Sequence, residues 1–248
     1  MSNSKITCIW GSPSSGKTIC ALSLAAVLAQ EKKNVIVFST DKLVPALRLY
    51  CPEEDIDSSR SIGSLLMSGR YDDAIFAHKL VPHPQNENIA FLGMAPSDTY
   101  ITYSNFERSH VVSVINKAAQ LADHVIIDGV SNPVEDTLTL CAMELSDVVI
   151  RVITADIRGL LYLDSARAVY NEAKYRFDSH ISVLGNVHSV SPVSEVMSVS
   201  GKYDYVLPYS PEIENRYIAG ELLCDMKRSA GRRFEKQIRN MAKGIEET

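Results

Sequence analysis

The chain has 248 residues, enough for one large α/β domain with a sizeable core. Its 46% hydrophobic and 22% charged content is ordinary globular composition and excludes general disorder. A formal net charge of -5 argues against nucleic-acid binding by bulk electrostatics, and no apolar run approaches the ~20 residues of a membrane span.

Met1 to Lys5 leads straight into a strand-like run, Ile6–Trp10, rather than into a long apolar leader, so a cytoplasmic location is expected. Residues 11 to 18 then read Gly11-Ser12-Pro13-Ser14-Ser15-Gly16-Lys17-Thr18, a full match to G-x-x-x-x-G-K-[ST]. A helical stretch, Thr18–Gln30, follows, which completes the strand–loop–helix setting this motif requires. Gly11 and Gly16 allow the turn that points successive N–H groups at a phosphate chain, backed by the positive end of the helix. Lys17 is expected on the β- and γ-phosphates and the Thr18 hydroxyl on magnesium, so the expected ligand is a nucleoside triphosphate with Mg2+.

Farther along, strands are expected at Asn34–Ser39, Ile89–Gly93, His124–Asp128, Asp147–Ile153, Ile181–Asn186 and Tyr203–Leu207. Helices are expected at Glu107–Ala122, Pro133–Leu145, Gly159–Phe177, Ser191–Val199 and Pro211–Leu223. The stretch Cys51 to Tyr103 is the least regular, rich in Ser, Asp, Asn and Pro as in Pro82-His83-Pro84-Gln85-Asn86; it reads as two short helices and a surface loop, with Glu53, Glu54 and Asp55 as solvated surface. Runs such as Val35-Ile36-Val37-Phe38 and Val148-Val149-Ile150 are apolar throughout, as strands buried on both faces must be. The expected fold is therefore a single α/β domain, 1–248, with three layers: a mostly parallel, doubly wound sheet and helices on both faces. Five scattered cysteines without a C-x-x-C spacing read as reduced core residues.

Two of these strands end in a carboxylate, Ser39-Thr40-Asp41 and Ile126-Ile127-Asp128. Ligands of such sheets sit at the carboxyl ends of the strands, so Asp41 and Asp128 are candidates to hold magnesium or its waters and to orient an attacking water. The competing explanation is that either aspartate merely starts a turn. At the other end of the chain, Lys227 to Lys243 carries seven basic residues against Glu235, and Phe234, Ile238, Met241 and Ile245 form one helical stripe. Docking of this stripe (within 226–248) on the domain is favoured over a membrane-surface or DNA-backbone contact through 227–243.

Taken together and in order, the phosphate loop, Ser-Thr-Asp41 and Val-Ile-Ile-Asp128 resemble the ParA/MinD/ArsA group of P-loop ATPases. The stretch Ala142–Val152, the strand ending in Asn186, and Leu207-Pro208-Tyr209-Ser210-Pro211 running to Gly220 are similar to later segments of that group. The resemblance spans roughly residues 5–225 and fits poorly over 51–110. It implies ATP and Mg2+ as ligands, with the backbone of Ser14, Ser15, Gly16, Lys17 and Thr18 on the phosphates. It further implies Asp41 as the first-switch carboxylate that positions water and Asp128 as the second-switch carboxylate that holds magnesium through water. Asn186 would read the adenine edge, with Pro208 and Tyr209 beside the base. A nucleotide-dependent homodimer and an as yet unidentified protein partner are the implied partners.

The pattern breaks at Ser12. Most ParA and MinD proteins carry a second lysine there, which reaches a partner's phosphates across an ATP-sandwiched dimer; here a serine followed by Pro13 takes its place. Slow hydrolysis is expected, with ATP acting as a switch ligand, unless an arginine such as Arg158 substitutes. Atypical relatives of the TadZ/CpaE type, which place pilus or secretion machinery, often have such degenerate loops, and the expected match is to their ATPase half without the receiver domain. The expected job is thus positioning or partitioning a cargo: a pilus or secretion assembly, a DNA element or the division site. The alternatives are a small-molecule phosphotransferase or ligase and a nucleotide-binding pseudo-ATPase.

Overall fold

Eight strands form one sheet in a computed structural model that describes residues 4–52, 56–103 and 105–248. Glu53, Glu54 and Asp55 lie outside the described residues. The strands are β1 (Lys5–Gly11), β2 (Val35–Ser39), β3 (Val81–His83), β4 (Asn86–Leu92), β5 (His124–Asp128), β6 (Val148–Thr154), β7 (Ile181–Val187) and β8 (Tyr205–Pro208). Their order is β3-β4-β2-β5-β1-β6-β7-β8, and every neighbouring pair is parallel except β3–β4.

The helices are α1 (Lys17–Gln30), α2 (Leu47–Tyr50), α3 (Ile62–Ser68), α4 (Asp73–Lys79), α5 (Arg108–Leu121), α6 (Thr137–Leu145), α7 (Ile157–Val169), α8 (Val193–Ser200), α9 (Pro211–Ile218) and α10 (Ser229–Glu247). Alternation along β1 shows how they are divided. Ile6, Cys8 and Trp10 face a core built with α3, α4, α5, α6, α7 and α8, whereas Ile9 faces one built with α1, α2, α9 and α10. Each strand must therefore be apolar on both sides, which is why the central runs lack polar alternation.

Several stretches depart from the sequence expectation, among them the helix expected to run to Leu223, which stops at Ile218. Pro82 lies inside β3, a strand not among those expected; it is tolerated because β3 is an edge strand, and the pairing shifts register at Pro82/His83. The helix expected to run to Phe177 stops at Val169, and single 3-10 turns follow at Ala173–Tyr175 and Phe177–Ser179. The chain turns there because Tyr170 and Phe177 fold inward onto Trp10, with ring centroids 5.1 and 6.2 Å away in edge-on geometry. The helix expected from Pro133 opens as a 3-10 turn and becomes α6 only at Thr137, where the Asp136 carboxylate accepts the Thr139 N–H at 2.9 Å.

The C-terminal stripe docks as expected. Phe234, Ile238, Met241 and Ile245 are buried against α1 and β8, while Arg232, Arg233, Lys236 and Lys243 stay on the outer face. Glu246 fastens the last turn, 2.9 Å from Lys33 and 2.6 Å from the buried His124 imidazole. Among the described residues no helix is long and apolar enough to cross a membrane.

Candidate functional site

β1 ends at Gly11 with φ 146°, and a Cβ there would come within 1.8 Å of the Val152 carbonyl oxygen. Only glycine lets the chain pass this close to β6. Ser12, the next residue, is 2% exposed and points inward: its N–H donates to Val152 O at 2.9 Å, and its Oγ accepts the Thr154 N–H at 3.0 Å. Ser15 Oγ donates back to Ser12 O at 2.8 Å. Pro13 and Ser14 form the exposed crest of the loop, and Gly16, with φ 86°, starts α1. The end of β6 thus holds the loop in shape before any ligand arrives.

Lys17 Nζ donates to Ser12 O at 3.0 Å and to Ser131 Oγ at 2.7 Å. Burial lowers its pKa, and the charges of Asp128 and Asp41 pull the other way. Thr18 Oγ1 donates to Asp128 Oδ2 at 2.8 Å, and the buried Tyr50 hydroxyl donates to the same oxygen at 2.8 Å. Asp128 Oδ1 is sealed and has no hydrogen-bond partner among the described residues. Burial raises the Asp128 pKa, while the Thr18 and Tyr50 hydroxyls and the Lys17 charge oppose that rise.

An orphaned carboxylate oxygen beside a threonine hydroxyl, both hard donors, fits a hydrated magnesium ion. Asp41 behaves differently. Its Oδ1 accepts the N–H groups of Leu43 and Val44 at 2.8 and 2.9 Å, a turn-capping role, and it touches neither Thr18 nor Asp128 although its charge acts on Asp128 and Lys17.

Ser14 through Thr18 form one wall of a pocket of about 290 Å3, and Asn186, Pro208 and Tyr209 form another. The residues singled out by resemblance at the far end of the sequence therefore do face the phosphate loop. Asn186 adopts φ 52° at the end of β7, and its Nδ2 donates to Ser14 O at 3.2 Å. Tyr209 stacks on His188 with centroids 4.3 Å apart and donates its hydroxyl to Glu214. Among the described residues lining the pocket, Lys17 is the only cation.

Sequence reasoning missed Tyr50, Ser131, Tyr217 and Phe234, the last two of which also line the pocket. No local motif marks any of them. It also missed a buried polar cluster under the segment after Asp128: Thr40 and Thr139 share a hydrogen bond of 2.7 Å, Asp136 accepts from Thr139, and Lys42 stands 4.0 Å from Asp136.

No protein-family model matches the chain, and no curated protein matches it by sequence. Solved structures do match. A ParA family ATPase from Chlorobium tepidum has 17% identity and a TM-score of 0.79, covering 96% of this chain and 99% of its own. The septum site-determining protein MinD of Pyrococcus horikoshii, complexed with Mg-ADP, has 16% identity and a TM-score of 0.70 over 98% of this chain and 96% of its own. A Borrelia burgdorferi protein assigned to plasmid partition, bound to AMPPNP, has 15% identity and a TM-score of 0.70 over 97% of this chain and 99% of its own. At these identities the likeness establishes the fold: the chain is built on the ParA/MinD-like P-loop framework.

Proposed function

We propose that this chain is an ATP-binding, magnesium-dependent switch ATPase of the ParA/MinD kind, which hydrolyses slowly and positions or partitions a cellular cargo. One observation carries the reading: the phosphate loop, Asn186 and Tyr209 line a single pocket, and Thr18 in its wall is hydrogen-bonded to Asp128. Two proteins of the same fold are bound to Mg-ADP and to AMPPNP, which supports ATP and Mg2+ as the ligands here.

Thr18 would hold the metal directly and Asp128 would hold it through water. Bound there, magnesium would supply positive charge to offset that of the phosphates. Lys17 must leave Ser12 O and Ser131 Oγ to reach phosphates, which releases Ser131 in the segment after Asp128. Tyr50 links the segment after Asp41 to Asp128 itself. Both segments are thereby tied to the contents of the pocket, as a switch requires. Each also exposes apolar side chains, Leu43 and Val44 on the first and Val134 on the second, which would meet a second copy of the chain in an ATP-dependent homodimer.

Slow turnover follows from Ser12. Its hydroxyl is committed to Thr154, no second cation lines the pocket among the described residues, and Arg158 stands exposed in the first turn of α7. The lack of further cations there also disfavours phosphoryl transfer to a small anionic acceptor. The protein acts in the cytoplasm, and its cargo is a pilus or secretion assembly, a DNA element or the division site. The basic face of α10 is the surface available for contact with the inner face of the membrane or with DNA.

Light scattering in ADP and then in Mg-ATP tests the proposal. The expected result is a monomer that becomes a dimer only with Mg-ATP, and not in Lys17→Ala. A mass indifferent to nucleotide, with ATP still bound, would sink the switch and leave ATP as a structural ligand.

A further inference from the structure

The phosphate loop lies at the carboxyl ends of the parallel strands. A second cavity, of about 420 Å3, opens at the opposite end, beside the start of β7, the residues leading into β8, and α7. Arg151 lines it. This residue sits in the middle of β6, in register with Trp10, and is 8% exposed.

Its direct contacts include no carboxylate among the described residues. Arg151 Nη1 donates to Phe177 O at 2.9 Å and meets His180 Nδ1 at 3.5 Å, and the guanidinium lies 4.1 Å from the centre of the Phe177 ring. His180 Nε2 donates to Tyr175 O at 2.7 Å, so Nδ1 is the lone-pair acceptor and the ring is neutral; burial pushes its pKa down to about 4. Among the described residues no carboxylate is within ion-pair distance of Arg151. Asp178 is paired with Arg167, and Asp204 Oδ2 accepts both the N–H and the hydroxyl of Ser182. The Nε and Nη2 edge of Arg151 has no partner among the described residues, although the residue is more than nine-tenths buried.

A guanidinium that is mostly buried, and whose remaining donors open only into a cavity, is placed to meet an anion that enters there. The lining adds Arg167, Lys202, Ser200 and Tyr203, together with two carboxylates that are already engaged, Asp178 by Arg167 and Asp204 by Ser182. We propose that this cavity is a second ligand site, distinct from the nucleotide pocket, for a small phosphate-bearing anion. The free edge of Arg151 would take two phosphate oxygens in the fork geometry guanidinium favours, and Arg167 and Lys202 would close over the group from the rim. The volume suits a small phosphomonoester rather than a polymer.

The test uses the full chain carrying Lys17→Ala, so that the phosphate loop does not compete, titrated calorimetrically with inorganic phosphate and with glucose 6-phosphate. Saturable binding of both is expected, weakened about tenfold or more by adding Arg151→Met and several-fold by adding Lys202→Gln instead. The methionine side chain would cover Phe177 without the charge, and the Lys202 change lies on an exposed side chain, so the second variant decides if the first fails to fold. Inorganic phosphate alone binding, with the ester excluded, would overturn the ester and leave a free-phosphate site. No saturation by about 20 mM, binding unaffected by both substitutions, or tighter binding of acetate than of phosphate would overturn the proposal entirely.

Discussion

Tyr50 donates its hydroxyl to Asp128 Oδ2 at 2.8 Å, reaching from the short helix after Asp41 to the oxygen that Thr18 also holds. Both donors fix one oxygen, while Oδ1 is sealed and has no partner among the described residues. Tyr50→Phe removes one donor and keeps the ring against Phe91, 4.9 Å away. The expected result is a three- to tenfold rise (about one ordinary hydrogen bond) in the Mg2+ concentration that half-saturates ATP binding, with metal-free ATP affinity unchanged. Fluorescent-nucleotide titrations at varied Mg2+ measure both. An unaltered Mg2+ requirement would reduce Tyr50 to core filler.

Ser12 was legible in sequence as a missing positive charge, but its hydroxyl has a position of its own, accepting the Thr154 N–H. Ser12→Ala removes that acceptor and should cost about 1 kcal/mol in urea denaturation. Ser12→Lys, which restores the lysine usual in ParA and MinD proteins, forces a long cation into a site that is 2% exposed. We expect it to destabilise by about 2 kcal/mol or more and not to raise phosphate release above the parent rate. A faster enzyme of undiminished stability would show that the loop has room to turn the side chain outward.

The contrast between Asp128 and Asp41 shows what a sequence can convey about such a site. Both stand at the end of an apolar strand, and both read as metal or water ligands. What separates them is tertiary: Asp128 is reached by Thr18 and Tyr50, whereas Asp41 spends Oδ1 on the N–H groups of its own turn. The central strands were legible because burial on both faces demands unbroken apolar runs. β3 was not, since a proline on an edge strand spells the same as a proline in a loop. Asn186, Pro208 and Tyr209 carry no motif individually; their order after the phosphate loop pointed to them, and the pocket brings them to it. Arg151 gave no signal, because one arginine in a strand run does not reveal whether a carboxylate will face it.

The docking of α10 should weaken in acid. Burial lowers the His124 pKa, so the folded chain holds this ring neutral and loses stability as pH falls from about 6.5 toward the lower folded value. The carboxylates act next. Glu246 is held low chiefly by its hydrogen bond to Lys33, and Glu212 chiefly by the N–H of Lys227. Their contribution is fully present above the ordinary glutamate pKa of about 4.3 and is lost as pH falls through the lower folded values. Amide hydrogen exchange in α10 should therefore lose protection in two steps, and His124→Gln, which can still donate to Glu246, should flatten the upper one. Protection constant down to about pH 4 would contradict the role given to His124.

Asn186 offers the sharpest test of base reading, because two of its jobs can be separated. Its φ of 52° is the left-handed conformation that asparagine tolerates and alanine resists, and its carboxamide donates to Ser14 O. Asn186→Gly keeps the backbone and removes the carboxamide, whereas Asn186→Ala also strains the turn. Both variants should lose about five- to tenfold in ATP affinity while GTP affinity stays put, the value of one hydrogen bond to the base. Only the alanine variant should also lose about 1 kcal/mol of stability. Competition of ATP and GTP against a labelled ADP, together with urea denaturation, reads both quantities. If the glycine variant keeps its preference for ATP, the carboxamide serves the loop through Ser14 alone, and recognition of the base falls to the Pro208–Tyr209 wall.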